Sequence, residues 1–143
     1  MLAMPTPYEF FDHTADIGVH IYGATLEELF CNAAKALYQA MGELQKTEIR
    51  NEKLLELQMD SPEDLFHDWL AELLYEVEAN HVLYDEIKFA KLTPVRLTAV
   101  LRGSSIDFSR SNTSEEIKAV TYHKLQVERQ SDGSWRATVI LDV

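Results

Sequence analysis

Two helix openings stand out in a sequence that otherwise alternates between apolar and polar residues. Thr25-Leu26-Glu27-Glu28 is a capping box: the Thr25 hydroxyl can accept from the Glu28 amide while the Glu28 carboxylate reaches back. Leu26, Phe30, Ala33, Ala34, Leu37 and Met41 then recur at the three-and-four spacing of one buried helix face, and Gly42 supplies a stop. Ser61-Pro62-Glu63-Asp64 opens the second helix, with Ser61 as N-cap and Pro62 at the first helical position, where its missing N–H costs nothing. Leu65, Phe66, Trp69, Leu73, Leu74 and Val77 form its inner face, and Asn80 ends it. The acidic row Asp64, Asp68, Glu72 and Glu76 reads as its solvated face.

The rest reads as strands. Tyr8 to Phe11 and Gly18 to Tyr22 flank a short connection, and Leu55 to Asp60 and Arg96 to Arg102 alternate with period two. Ile117 to Val127 is expected to be one strand, with Ile117, Ala119, Leu125 and Val127 on a face shared with Thr121 and His123. Ser131-Asp132-Gly133-Ser134 is a hairpin turn leading to a last strand lined by Trp135, Ala137, Val139 and Leu141. The expectation is an α+β fold, with two helices packed on one face of a mostly antiparallel β-sheet. A chain of 143 residues fits one domain over 1–143, and an apolar fraction of 46% can fill a core.

Charge and cysteine content narrow the function. With 13 basic and 24 acidic side chains the net charge is −11, and no basic cluster is present. Nucleic-acid affinity draws on Lys and Arg displacing counterions, so direct nucleic-acid binding is not expected, whereas a basic partner protein would be attracted. A single cysteine, Cys31, excludes an intramolecular disulfide and a zinc site built from several thiolates. No signal peptide is visible and no run approaches the ~20 apolar residues of a membrane helix. The expected location is the cytoplasm, without membrane association.

Three segments could carry chemistry. Asp12-His13-Thr14-Ala15-Asp16 puts two carboxylates and an imidazole at a strand end. Such a set could bind a cation, do acid–base work, or cap the amides of an acidic turn. In Glu115-Glu116-Ile117-Lys118-Ala119-Val120-Thr121-Tyr122-His123, Lys118 could meet a phosphate or a partner carboxylate, or pair with Glu116 at the surface. His123 could be a ligand or a hydrogen-bonded histidine beside the core. At Leu141-Asp142-Val143 the Asp142 side chain and the carboxylate of Val143 offer adjacent oxygens, which a hard cation prefers.

These segments resemble the archease family, which is associated with the RtcB-type tRNA-splicing ligase. The matching elements are Tyr8 to Gly18, Thr25 to Glu28, Trp69-Leu70-Ala71-Glu72-Leu73-Leu74-Tyr75, Glu116 to His123 and the terminal Asp142-Val143, in the family's order and over nearly the whole chain. The resemblance implies an α/β sandwich and a metal site at Asp16, Asp142 and Val143. The cation it implies is divalent, Ca²⁺ first, with Mg²⁺ or Mn²⁺ as alternatives. It implies a functional Lys118, with Asp12, His13, Glu116 and His123 as further partner or nucleotide contacts. It also implies an accessory role with no catalysis of its own, in which the chain promotes guanylylation of the ligase and its repeated turnover in tRNA splicing, and meets guanine nucleotide only through the ligase. Two departures from the family are visible. Gly103 is followed by Ser104 and Ser105 where Glu is frequent, and Val143 stands where Ile is common. The alternatives are a chaperone-like modulator of a tRNA-modifying enzyme, such as a methyltransferase, and a metal-dependent hydrolase using Asp12, His13, Asp16 and His123.

Overall fold

A computed structural model describes residues 6–143. In chain order the elements are β1 (Tyr8–His13), β2 (Asp16–Gly23), α1 (Leu26–Met41), β3 (Gly42–Glu43), β4 (Lys46–Gln58), α2 (Pro62–Asn80), β5 (Val82–Thr93), β6 (Arg96–Ile106), β7 (Asn112–Thr113), β8 (Ala119–Val120), β9 (Gln126–Arg129) and β10 (Trp135–Asp142). Both caps form as their chemistry dictates: Thr25 Oγ1 accepts from the Glu28 amide at 3.1 Å, and Ser61 Oγ from the Asp64 amide at 3.1 Å. Gly42 ends α1 at φ 117°, where an added Cβ would meet the Asn112 carbonyl oxygen at 2.4 Å. His81, in the left-handed region at φ 54°, caps α2.

The α+β class and the antiparallel pairing are as expected. The strands, however, divide among a five-stranded sheet in the order β1-β2-β10-β8 with β9 also on β10, a three-stranded sheet β4-β6-β5, and the pair β3-β7. Both helices touch both larger sheets. Phe30 of α1 makes edge-to-face contacts with Phe66 of α2 and Phe89 of β5, and the Trp69 indole donates to the Phe30 carbonyl at 3.0 Å. Trp69, Phe30 and Phe66 are fully buried. Large aromatic groups placed between α1, α2 and β5 each contribute a large buried area to this core.

Three expectations change. Ile117 to Val127 is not one strand: only Ala119–Val120 and Gln126–Arg129 pair with β10, and a turn intervenes in which the Leu125 amide donates to the Tyr122 carbonyl and Lys124 takes φ 54°. The period-two face is lost across that turn, so Ile117, Val120 and Val127 are buried while Ala119 and His123 are exposed. Glu76 is not solvated but buried, accepting from the Tyr84 hydroxyl at 2.6 Å and from the Asn80 amide. The strand set is also larger than the alternation suggests. β4 starts at Lys46, and β5 carries register shifts at Tyr84/Glu86 and Phe89/Lys91. Each such bulge adds a residue that breaks the alternation on which a strand is recognised.

Candidate functional site

The site is built where β2 and β10 end together. β1 and β2 form a tight hairpin in register from Tyr8↔Ile21 to His13↔Asp16, closed by Thr14 and Ala15. Both turn residues have positive φ, 34° and 69°. A two-residue hairpin of matching twist demands this conformation, which Asn-Gly adopts readily and Thr-Ala does not, so the loop holds strain of about 1 kcal/mol or more per residue. β10 lies antiparallel to β2 from Trp135↔Gly23 to Leu141↔Ile17, and the next step of that register sets Asp142 beside Asp16. On its other side Asp142 pairs with Ala119, and its carbonyl accepts from the Lys118 amide at 2.8 Å. Thr121 adds two bonds to the Ile140 carbonyl, from its amide at 3.1 Å and its hydroxyl at 2.9 Å. The end of the last strand is thus fixed on both flanks.

Residues directly opposite on neighbouring strands share a face. His13, Asp16, Asp142 and Ala119 therefore form one row across four strands. Asp16 and Asp142 are half-buried, and neither carboxylate has an ion-pair partner among the described residues. The His123 ring stands 5.1 Å from that of His13, whose Nδ1 is buried without a hydrogen-bond partner among the described residues. An unpartnered buried ring nitrogen is costly and uncommon. Val143 continues the strand at this corner and is half-buried. Lys118, one residue before the row, is exposed and makes no ion pair among the described residues, Glu116 included.

Two of the expected contact residues lie apart from this row. Asp12 pairs with Ile17 and so belongs to the opposite face of the hairpin from His13 and Asp16, where it lines a hollow with Phe10, Gln39 and Ser114. Glu116 lines an apolar cavity beside α2. Among the described residues no three His, Cys, Asp or Glu side chains cluster closely enough to hold a metal ion by themselves. A cation at Asp16 and Asp142 would need main-chain oxygens as well, and those of Val143 are adjacent.

Farther along the same sheet face, the Phe11 ring lies across Gly18, where a Cβ would stand 2.3 Å from it, and stacks on His20 at 4.4 Å. His20 Nδ1 bonds with Thr138 Oγ1 at 3.0 Å. Burial, then the Arg136 charge, hold the His20 imidazole below its ordinary value, with Glu9 opposing them. Cys31 is half-buried, and burial pushes its thiol up, away from the low range of activated thiols.

One contact that orders the Lys118 to His123 segment is not legible in the sequence. His67 of α2 stacks on Tyr122 at 3.9 Å, its Nε2 lies 2.8 Å from the Val120 carbonyl, and its Nδ1 lies 2.9 Å from Asp68. The only available signal was a histidine interrupting the acidic face of an amphipathic helix.

No described helix is long and apolar enough to cross a membrane. Residues 8–143 match the model of the archease protein family (MTH1598/TM1083). The archease of Methanosarcina barkeri is 37% identical over 142 residues, covering 95% of each chain. The solution structure of Methanobacterium thermoautotrophicum protein 1598 superposes with a TM-score of 0.71 at 31% identity, covering 96% of this chain and 99% of that one. The crystal structure of a Thermotoga maritima archease, described as a possible chaperone, superposes with a TM-score of 0.72 at 26% identity over the full length of both. With its family match spanning the strained hairpin, both helices and the final strand, the chain belongs to the archease family.

Proposed function

We propose that this archease is a metal-binding accessory protein that activates an RtcB-type RNA ligase, promoting its guanylylation and repeated turnover. The observation that carries the reading is the β2–β10 register, whose last pair, Ile17↔Leu141, stands one step from Asp16 and Asp142 at one sheet end. Two half-buried carboxylates without a cationic partner form an oxygen-only donor set, and main-chain oxygens of Val143 can complete it. That chemistry suits a hard divalent cation, Ca²⁺ or Mg²⁺, and not a soft metal. When bound, the cation supplies positive charge beside phosphate oxygens.

The remaining roles follow from placement. Asp16 and Asp142 hold the cation. The ammonium of Lys118, next to the row and without an ion pair among the described residues, meets a nucleotide phosphate or a carboxylate of the ligase. Thr121 and His67 keep the Lys118 segment against β10. Such a device positions charge for another protein's reaction and needs no nucleophile of its own.

The test is a ligase guanylylation assay with and without this protein. Asp16→Ala, Asp142→Ala and Lys118→Ala are each expected to fold and to lose the stimulation. If all three stimulated as well as the unaltered chain, the reading would be wrong. Deletion of Val143 is expected to weaken Ca²⁺ binding in calorimetric titration, and equal affinities would remove Val143 from the donor set. A chaperone-like modulator of a tRNA-modifying enzyme would instead suppress aggregation of its client and be indifferent to Lys118→Ala.

A further inference from the structure

An apolar cavity of about 230 Å³ opens beside the C-terminal half of α2. Met41, Leu74, Val77, Phe108 and Ile117 form its walls. Phe108 remains 39% exposed, held edge-to-face by the His81 ring at 5.0 Å. Sites for whole small molecules run to about 300–1,000 Å³. This cavity falls below that range and fits one large side chain.

The mouth decides what carries that side chain. Glu78 approaches from α2, and Glu115 and Glu116 from the segment before Lys118. All three are exposed, and none makes an ion pair among the described residues. Three uncompensated carboxylates around an apolar pit repel an acidic visitor and attract a basic one, and the whole chain at −11 steers in the same sense. A second copy of this chain, equally acidic, is disfavoured at such a mouth.

We infer that this cavity is an anchor socket for the partner enzyme, taking one large apolar side chain flanked by Lys or Arg. The inference rests on the accessory-protein reading above and adds where the partner docks. An RNA-binding enzyme must carry Lys and Arg on its surface, which supplies the cationic flank. Buried apolar anchors within a charged rim are the usual seat of interface energy. The socket also shares a wall, Glu116 and Ile117, with the segment that bears Lys118, so filling it would align that lysine with the partner.

The experiment measures affinity of the RtcB-type ligase for this protein by calorimetry. Thr113→Trp plugs the socket from its exposed rim, and the double variant Glu78→Lys, Glu115→Lys reverses the mouth charge without touching the metal row. Each is expected to raise the Kd about tenfold or more, the scale of losing a buried anchor. The charge variant should also flatten the salt dependence, while Ca²⁺ binding and the urea midpoint stay unchanged. Affinities within about twofold of the unaltered chain for both variants would overturn the socket and leave the accessory role standing. Absence of any ligase binding by the unaltered chain would overturn both. Dimers in sedimentation that Thr113→Trp dissolves would replace the basic partner by a second copy and overturn the assignment.

Discussion

Replacing Asp16 by Asn tests the site through stability as well as through function. Asp16 and Asp142 lie one step past the last registered pair, Ile17↔Leu141, on adjacent strands, and neither has an ion-pair partner among the described residues. At a charge separation of ~6 Å in water-like surroundings the repulsion is about 0.7 kcal/mol, within the range for like charges opposed across a sheet. Unfolding entropy of about 2.1 cal/mol/K per residue gives roughly 0.3 kcal/mol/K for 143 residues. Asp16→Asn should therefore raise the metal-free Tm by about 2 °C at low salt, with the gain shrinking at high salt. If the two carboxylates hold calcium as proposed, calcium at about 100 times its Kd should stabilise the native state by about 2.7 kcal/mol, a Tm rise of roughly 9 °C in the unaltered chain. That rise should vanish in Asp16→Asn. Scanning calorimetry in chelator and in Ca²⁺ reads both effects. A variant that is less stable without metal, and still gains the full calcium shift, would refute the pairing of these carboxylates.

Thr14→Asn with Ala15→Gly should stabilise the hairpin by about 1 kcal/mol in urea unfolding, because both positions already have positive φ; an unchanged or lower midpoint would contradict strain there. Glu76→Ala should cost about 2–3 kcal/mol by leaving the buried Tyr84 hydroxyl without its acceptor, while Glu76→Gln should cost far less; equal losses would deny the hydrogen bond its role. Asp107 accepts from the Ser109 hydroxyl and Arg110 and is held at about 2, below its ordinary 3.8. Its folded value is depressed, so the stability it contributes is present above 3.8 and is lost as pH falls toward 2. Asp107→Asn should flatten the decline of the urea midpoint across that window, and an identical decline would contradict the linkage.

The helices were legible because their signals are local. A cap and the amide it satisfies lie three residues apart, and Thr25–Glu28 and Ser61–Asp64 formed as their spacing requires. The buried stripe of α2 was equally local, from Leu65 to Val77. What failed depended on partners distant in sequence or on broken periodicity. Glu76 looked solvated because the helix alone cannot show that Tyr84 of β5 will donate to it. β5 was invisible because two bulges shift the phase of its alternation. Ile117 to Val127 kept an apparent alternation across a turn, where Lys124 at φ 54° reverses the chain.

The candidate site shows the same division more sharply. Nothing in the spacing of Asp16 and Asp142 says they will be neighbours; family resemblance implied it, and the strand register supplies a physical reason. Several features that sequence rules would avoid meet at this corner. Two residues without turn propensity take positive φ, a buried ring nitrogen lacks a partner, and two carboxylates oppose each other uncompensated. Elsewhere the buried polar side chains are satisfied: Asn32 donates to the Tyr22 carbonyl, Ser104 accepts from Arg50, and Glu76 is bonded twice. Strain, an orphaned nitrogen and like charge at one sheet end, in a fold whose buried polar side chains are otherwise satisfied among the described residues, support the cation site proposed there. On the proposed reading, Asp16 and Asp142 at this sheet end, and not the apolar cavity, are where a cation would be sought.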